Sequence, residues 1–144
     1  MVKDKVEKWC SEEGILKEKV DDPNSEFNLV ISFPDEAQVL NILQPKGKDY
    51  VWIVSRTVVS SEHKERLKKK SAEELENFLW DLRFTLASRP TSFNLQISNG
   101  VLEGFTITYR IYSDGLNKHT LMQAIREVHK SRLIVLWKLI HATK

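Results

Sequence analysis

The stretch from Asn117 to His141 constrains this chain more than any other, because its apolar pattern changes halfway along. At about 100° per residue, Leu121, Met122, Ile125 and Val128 form one stripe, with Gln123, Arg126, Glu127 and Lys130 facing away. That half needs one partner surface. In the second half Leu133, Ile134, Val135, Leu136, Trp137, Leu139 and Ile140 cover most of the circumference, more than a helix lying on a single sheet can bury. A helix apolar nearly all round is normally enclosed. What encloses this one, whether the rest of its domain, a second copy or a client, is the functional question.

The preceding chain alternates helical and extended patterns. Val2, Val6, Trp9 and Cys10 fall on one helical stripe, and Gly14 follows where a left-handed residue ends a helix. Cys10 shares that stripe, which predicts a buried small hydrophobe. Leu16 to Val20 reads as a short edge strand ended by the turn residues Asp21 to Ser25. Phe27, Leu29, Ile31 and Phe33 then alternate with Asn28, Val30 and Ser32 at the period of a strand. Gln38 to Gln44 and Tyr50 to Val59 flank the hairpin loop Pro45 to Asp49, which makes a three-stranded meander. Tyr50 to Val54 is apolar on both faces, which predicts a strand inside the sheet.

Ser60 or Ser61 is placed to cap a short helical turn through Lys70, and Ser71 with Glu74 is a capping box that opens a longer helix. Leu75, Phe78, Leu79, Leu82 and Leu86 form its core face, and Arg89-Pro90 ends it. Phe93, Leu95 and Ile97 alternate with polar residues. Phe105, Ile107, Tyr109 and Ile111 do the same against Thr106, Thr108, Arg110 and Tyr112. Asn99-Gly100 supplies the turn between these two strands, with Val101 to Gly104 as an extension of the loop. Asn117 is a candidate cap for the last helix. The expected fold is α+β: one antiparallel sheet of about five strands with helices on its apolar face, in the order α-β-β-β-α-β-β-α.

At 144 residues, 41% of them hydrophobic and 29% charged, the chain reads as a single domain over residues 1–144. A net charge of +2 with mixed lysines and glutamates gives no general case for nucleic acid or an acidic membrane. One cysteine excludes an internal disulfide framework and fits a reducing compartment. Met1 to Lys8 has no apolar signal core, and the run Leu133 to Trp137 is far short of the ~20 residues a bilayer needs. A cytoplasmic location is expected.

Chemistry-bearing patterns are sparse. His63, His119, His129 and His141 show no i, i+4 pairing with an adjacent glutamate, so no metal site is nominated. His129 beside the apolar stripe reads as a hydrogen-bonded core histidine. The chain has no glycine-rich phosphate loop, nucleophile elbow or dinucleotide fingerprint, and no cofactor or catalytic residue is assigned. Tyr112, Arg110 and His119 near one end of the sheet are the only enzyme-like grouping. The basic run Lys64, Arg66, Lys68, Lys69, Lys70 lacks the aromatic platforms of a single-strand binder and reads as a solvated helix face, with a nucleic-acid or phosphate-binding patch as the alternative function.

Several local strings, Leu43-Gln44-Pro45-Lys46-Gly47-Lys48, Leu82-Arg83-Phe84-Thr85-Leu86 and Phe93-Asn94-Leu95, together with the element order, resemble a small uncharacterised archaeal domain-of-unknown-function family. Its fold is similar to that of type III secretion chaperones. The resemblance covers the whole chain and implies an α+β domain, often a homodimer. In those chaperones it implies an extended client segment held against hydrophobic patches. This chain departs from them in being mildly basic.

Four residues lie off the main apolar stripes: Trp80 and Phe84, one turn apart on the outer side of the longer helix, and Ile134 and Trp137 on the last. Together they are the candidate interface, either with a second copy or with a protein or peptide client. The alternative covers Trp137 with Val6 and Trp9 of the first helix.

Overall fold

The computed structural model describes residues 2–144. The first helix, α1 (Val2–Glu12), buries Val6 and Cys10 and ends at Gly14, at a φ of +68°. Burial pushes the Cys10 thiol up to about 12, so at neutral pH it is an apolar filler and not a nucleophile. The strands β1 (Leu16–Lys19), β2 (Ser25–Ser32), β3 (Val39–Pro45) and β4 (Tyr50–Val58) follow. Two helices come next, α2 (Ser61–Lys68) and α3 (Ala72–Ala87), and then β5 (Ser92–Ser98), β6 (Val101–Tyr112), a 3-10 turn (Ser113–Gly115) and α4 (Lys118–Ala142).

The sheet is single and antiparallel, with strand order β1-β2-β3-β4-β6-β5. It has six strands where the sequence pattern suggested about five, because β1 is a full member. The element order also gains α2 as a helix of its own. β1 is a short edge, three of its four residues are charged, and its register with β2 shifts between Leu16 and Glu18. Such features discourage further pairing at an edge. β4 lies inside the sheet, as its two apolar faces predict.

Register explains which side chains are buried. Leu29, Ile42 and Ile53 align across β2, β3 and β4 and are all buried, while Asn28, Leu43 and Trp52 align on the opposite face. On that face Asn41 donates to Asn28 Oδ1 at 3.0 Å, and Asn28 donates to Asp22 at 3.2 Å. Phe33, expected to close β2, falls one residue beyond it.

The chain divides into two compact units. The first holds the residues up to Ser55 and Thr108–His129, and the second holds Arg56–Ile107 and Lys130–Lys144. In the first, α1 packs on β1 and β2, and His129 is buried with its ring edge-on to Phe33, centroids 5.6 Å apart. In the second, α3 packs on β5, and Leu67, Leu75, Leu79, Leu82, Leu86, Val135 and Leu139 are buried. The β5–β6 turn is Asn99-Gly100, with φ of +52° and +77°. Positive φ at both central residues is the geometry in which a two-residue loop matches strand twist. β6 therefore begins at Val101, and the longer loop through Gly104 does not form.

Helix starts are set by side-chain caps. Asn117 Oδ1 accepts from the Thr120 amide at 2.9 Å, and Ser60 caps α2 through the His63 amide. At α3 the Ser71 hydroxyl accepts from the Glu74 amide and the Glu74 carboxylate accepts from the Ser71 amide, both at 3.1 Å. The Ser71 amide, and then the Ser71 side chain, hold Glu74 below its ordinary pKa. Ser71→Ala is expected to cost about 1 kcal/mol in chemical denaturation. A depressed folded-state pKa means that the contribution of ionised Glu74 is complete above the ordinary carboxylate value and fades as pH falls through the depressed one. The stability gap between the protein and Glu74→Gln should accordingly close in acid. A gap that stays constant from neutral to acid pH would remove this electrostatic part of the cap.

Candidate functional site

α3 and α4 carry the candidate interface residues, and one ion pair shows how their outer faces adjoin. At 100° per residue, Phe84 lies farthest from the buried arc Leu75, Leu79, Leu82, Leu86, with Asp81 on one flank and Trp80 on the other. On α4, Trp137 lies opposite the buried Val135 and Leu139, with Ile134 and Lys138 on one flank and Ile140 on the other. Lys138 Nζ donates to Asp81 Oδ2 at 2.8 Å. The Asp81 flank of α3 therefore meets the Lys138 flank of α4, and by helical angle Ile134, Trp137 and Ile140 lie beyond Lys138 on α4 as Phe84 and Trp80 lie beyond Asp81 on α3; the two exposed groups are together called the strip. An exposed ion pair contributes about 1 kcal/mol at most. Its importance here is positional.

The strip is wet. Trp80 is 47% exposed, Phe84 71%, Trp137 63% and Ile140 49%, and Ile134 is half-buried. Taking about 150 to 250 Å² for a whole aromatic side chain, the exposed part amounts to roughly 400 to 500 Å². Patches of roughly this size are the largest that monomers usually show, and they often mark a binding surface. Trp80 and Phe84 lean together with centroids 5.7 Å apart, and the Arg83 guanidinium stands 4.8 Å from the Trp80 ring centre. Ile140, exposed beside Trp137, was not among the four candidates, although it follows Trp137 by three positions and that spacing was readable. Arg83 and the Asp81–Lys138 pair had no readable signal.

The basic run is largely engaged. Lys64 pairs with Glu103 at 3.1 Å, Lys68 with Glu65 at 3.2 Å, and Arg66 with Glu62 and with the Thr143 carbonyl. His63 Nδ1 lies 2.9 Å from the Thr143 hydroxyl, which itself donates to the Leu139 carbonyl at 2.7 Å, so the histidine nitrogen is the donor. α2 thereby clasps the end of α4. Lys69 is exposed and Lys70 half-buried.

In the first unit Arg110 and Tyr112 come together but His119 does not join them. Arg110 Nη1 donates to Tyr112 Oη at 3.3 Å, and its guanidinium lies 4.1 Å from the centre of Tyr50 and 5.2 Å from that of Trp52. Tyr50 stands edge-on to both Trp52 and Tyr112. The hydrogen bond to Tyr112 raises the Arg110 pKa further. Among the described residues no three histidine, cysteine or carboxylate side chains are grouped to hold a metal ion.

The family described as "Uncharacterized conserved protein (DUF2299)" matches residues 2–139. This chain belongs to it. A crystal structure of an uncharacterized protein from Methanothermobacter thermautotrophicus superposes on this DUF2299 chain with a TM-score of 0.96, at 34% identity over 100% of both chains. A chain of the HopA1-SchA chaperone-effector complex superposes with a TM-score of 0.56 at 11% identity, over 91% of this chain and 90% of that one. YbjN from E. coli superposes with a TM-score of 0.50 at 12% identity, over 92% and 86%. No curated protein matches the sequence. This DUF2299 chain thus shares its fold with a chain of that chaperone-effector complex. Among the described residues of this DUF2299 chain, no helix is long and apolar enough to cross a membrane.

Proposed function

We propose that the chain is a non-enzymatic, cytoplasmic protein-binding module, chaperone-like in fold, that pairs as a homodimer through the strip of Trp80, Phe84, Ile134 and Trp137. The observation that carries this reading is the exposed strip itself: three large aromatic side chains stand in water on two adjoining helices. Such exposure gains nothing in isolation, since a fully buried large apolar side chain is worth roughly 1.5 to 3 kcal/mol. A two-fold arrangement presents the same strip twice, and two strips with their polar rims reach about 1,000 Å², the lower limit of stable interfaces. The fold shared with a chain of a chaperone-effector complex supports a protein-binding role in general. We treat residues 1–144 as one functional domain, because β4, β6 and α4 each run through both units.

Sedimentation across a concentration series tests the pairing. The expected result is twice the chain mass at micromolar concentration, with added salt leaving the mass unchanged because the contact is apolar. A single-chain mass up to about 1 mM, weaker than any stable interface of this size, overturns the homodimer. In that case a peptide that binds the strip and quenches its tryptophans would make a client the occupant instead.

A further inference from the structure

The first unit carries a cation that its own fold prepares without neutralising. Two cations of that unit are held by carboxylates, Lys19 by Glu7, and Lys118 by Glu12 and Glu13 at 3.2 and 3.0 Å. Arg110 has no carboxylate partner among the described residues. Instead its flat guanidinium lies over the rings of Tyr50 and Trp52, and one of its N–H groups is fixed by Tyr112 Oη. The rings come from adjacent strands. β4 supplies Tyr50 and Trp52, β6 supplies Arg110 and Tyr112, and the Ser113 amide donates to the Asp49 carbonyl at 3.1 Å to hold the strand ends together. A long side chain that normally loses much rotamer freedom on binding is therefore already ordered.

The ring contacts and the Tyr112 hydrogen bond hold one side of the guanidinium, and no hydrogen bond from its other edge is seen among the described residues. Nη1 is the atom held by Tyr112, so the edge formed by Nε and Nη2 keeps two parallel N–H donors with the spacing of a carboxylate's two oxygens. Arg110 itself lies over Tyr50 and Trp52, so on that side the rings offer a nucleobase no bare stacking platform. A single cation also matches a monoanion better than a phosphate dianion.

We infer that Arg110, framed by Tyr50, Trp52 and Tyr112, is a carboxylate-binding site that takes an acidic group of a partner polypeptide, either a chain-terminal carboxylate or a glutamate or aspartate side chain. The site does not depend on the α3–α4 strip, and its failure would leave the pairing proposal untouched.

The test is an NMR titration of the full chain that follows the Arg110 Nε–H resonance. Three blocked tripeptides serve as probes: one with a free C-terminal carboxylate, the same one amidated, and an amidated one with a central glutamate. Inorganic phosphate is the fourth. The expected result is a saturable shift with a dissociation constant on the order of 1 mM for one or both carboxylate peptides, the responding probe identifying the source. The variants lack the arginine resonance and are read from the Trp52 indole N–H, which lies at the same site; by that signal Arg110→Lys should weaken the binding roughly tenfold by losing one charged hydrogen bond. Arg110→Met should abolish it, with the far-ultraviolet circular dichroism of both variants unchanged. Equal binding of the fully amidated neutral peptide, tighter binding of phosphate than of either carboxylate, or no saturable shift with any probe overturns the assignment.

Discussion

Phe84→Glu combined with Trp137→Glu is expected to turn the proposed two-chain particle into a single chain while leaving each fold intact. Both side chains are more than half exposed and point away from the buried arcs of their helices, so a carboxylate at either position is solvated in the lone chain. In a two-fold interface the same carboxylate is buried, and each substitution occurs twice. Leaving an unpaired charge in an apolar contact costs several kcal/mol, and truncating a central aromatic alone costs about 2 kcal/mol or more. A loss of at least about 4 kcal/mol raises the dissociation constant roughly a thousandfold. Sedimentation at tens of micromolar reads this directly, and the melting temperature of the variant should match that of the dissociated parent. An unchanged mass would place the contact elsewhere. Asp81→Ala is the control: it removes an exposed ion pair beside the strip and should shift dimerisation by no more than about 1 kcal/mol.

That strip was readable from sequence because helical periodicity carries over long segments. Trp80 and Phe84 could be set against Leu75, Leu79, Leu82 and Leu86 by angle alone, and Trp137 against Val135 and Leu139 in the same way. Where α3 and α4 adjoin could not be read, since that depends on Asp81 meeting Lys138 across 57 positions of chain. The Arg110 cluster was hidden for a similar reason. Tyr50 and Trp52 alternate on β4, as Arg110 and Tyr112 do on β6, so each half was visible. Their meeting depends on β6 lying next to β4, a pairing between strands that α2, α3 and β5 separate in sequence. Local patterns specify faces, whereas non-local strand order decides which faces share a site.

The fold followed the same division. Caps at Ser60, Ser71 and Asn117, the turn at Asn99-Gly100 and the interior position of β4 all rest on chemistry within a few residues, and all were readable. β1 is also readable, as the short edge strand Leu16 to Val20, but on thinner grounds, and the expected strand order omits it. Its Leu16-Lys17-Glu18-Lys19 sequence has little strand signal of its own and is extended because β2 offers a ladder to it. The segment from Val101 to Gly104 misled for a physical reason: a glycine near a turn suggests loop, yet inside a strand it marks a close backbone approach.

That approach makes Gly104 the position where the smallest substitution should do the most damage to the fold. A β-carbon there would lie 2.7 Å from the Thr57 carbonyl oxygen and 3.2 Å from Gln96 Oε1. Gln96 can swing aside because it is an exposed side chain on the edge strand β5. The Thr57 carbonyl cannot, because it is backbone of β4, and two residues on the Val59 amide donates to the Glu103 carbonyl at 2.9 Å. Replacing glycine with alanine normally stabilises by about 0.4 to 1 kcal/mol through the unfolded chain when the native conformation tolerates it. Here the sheet must open locally, and overpacking of this kind costs about 1 to 3 kcal/mol. The second effect wins. Gly104→Ala is expected to lower the melting temperature by roughly 3 to 10 °C for a chain of this length and to speed hydrogen exchange at the Val59 amide. Gly104→Val, with a second layer of atoms on the same carbon, should be worse. A Gly104→Ala variant that melts with the parent and protects Val59 equally would show that β4 and β6 yield at this point without cost.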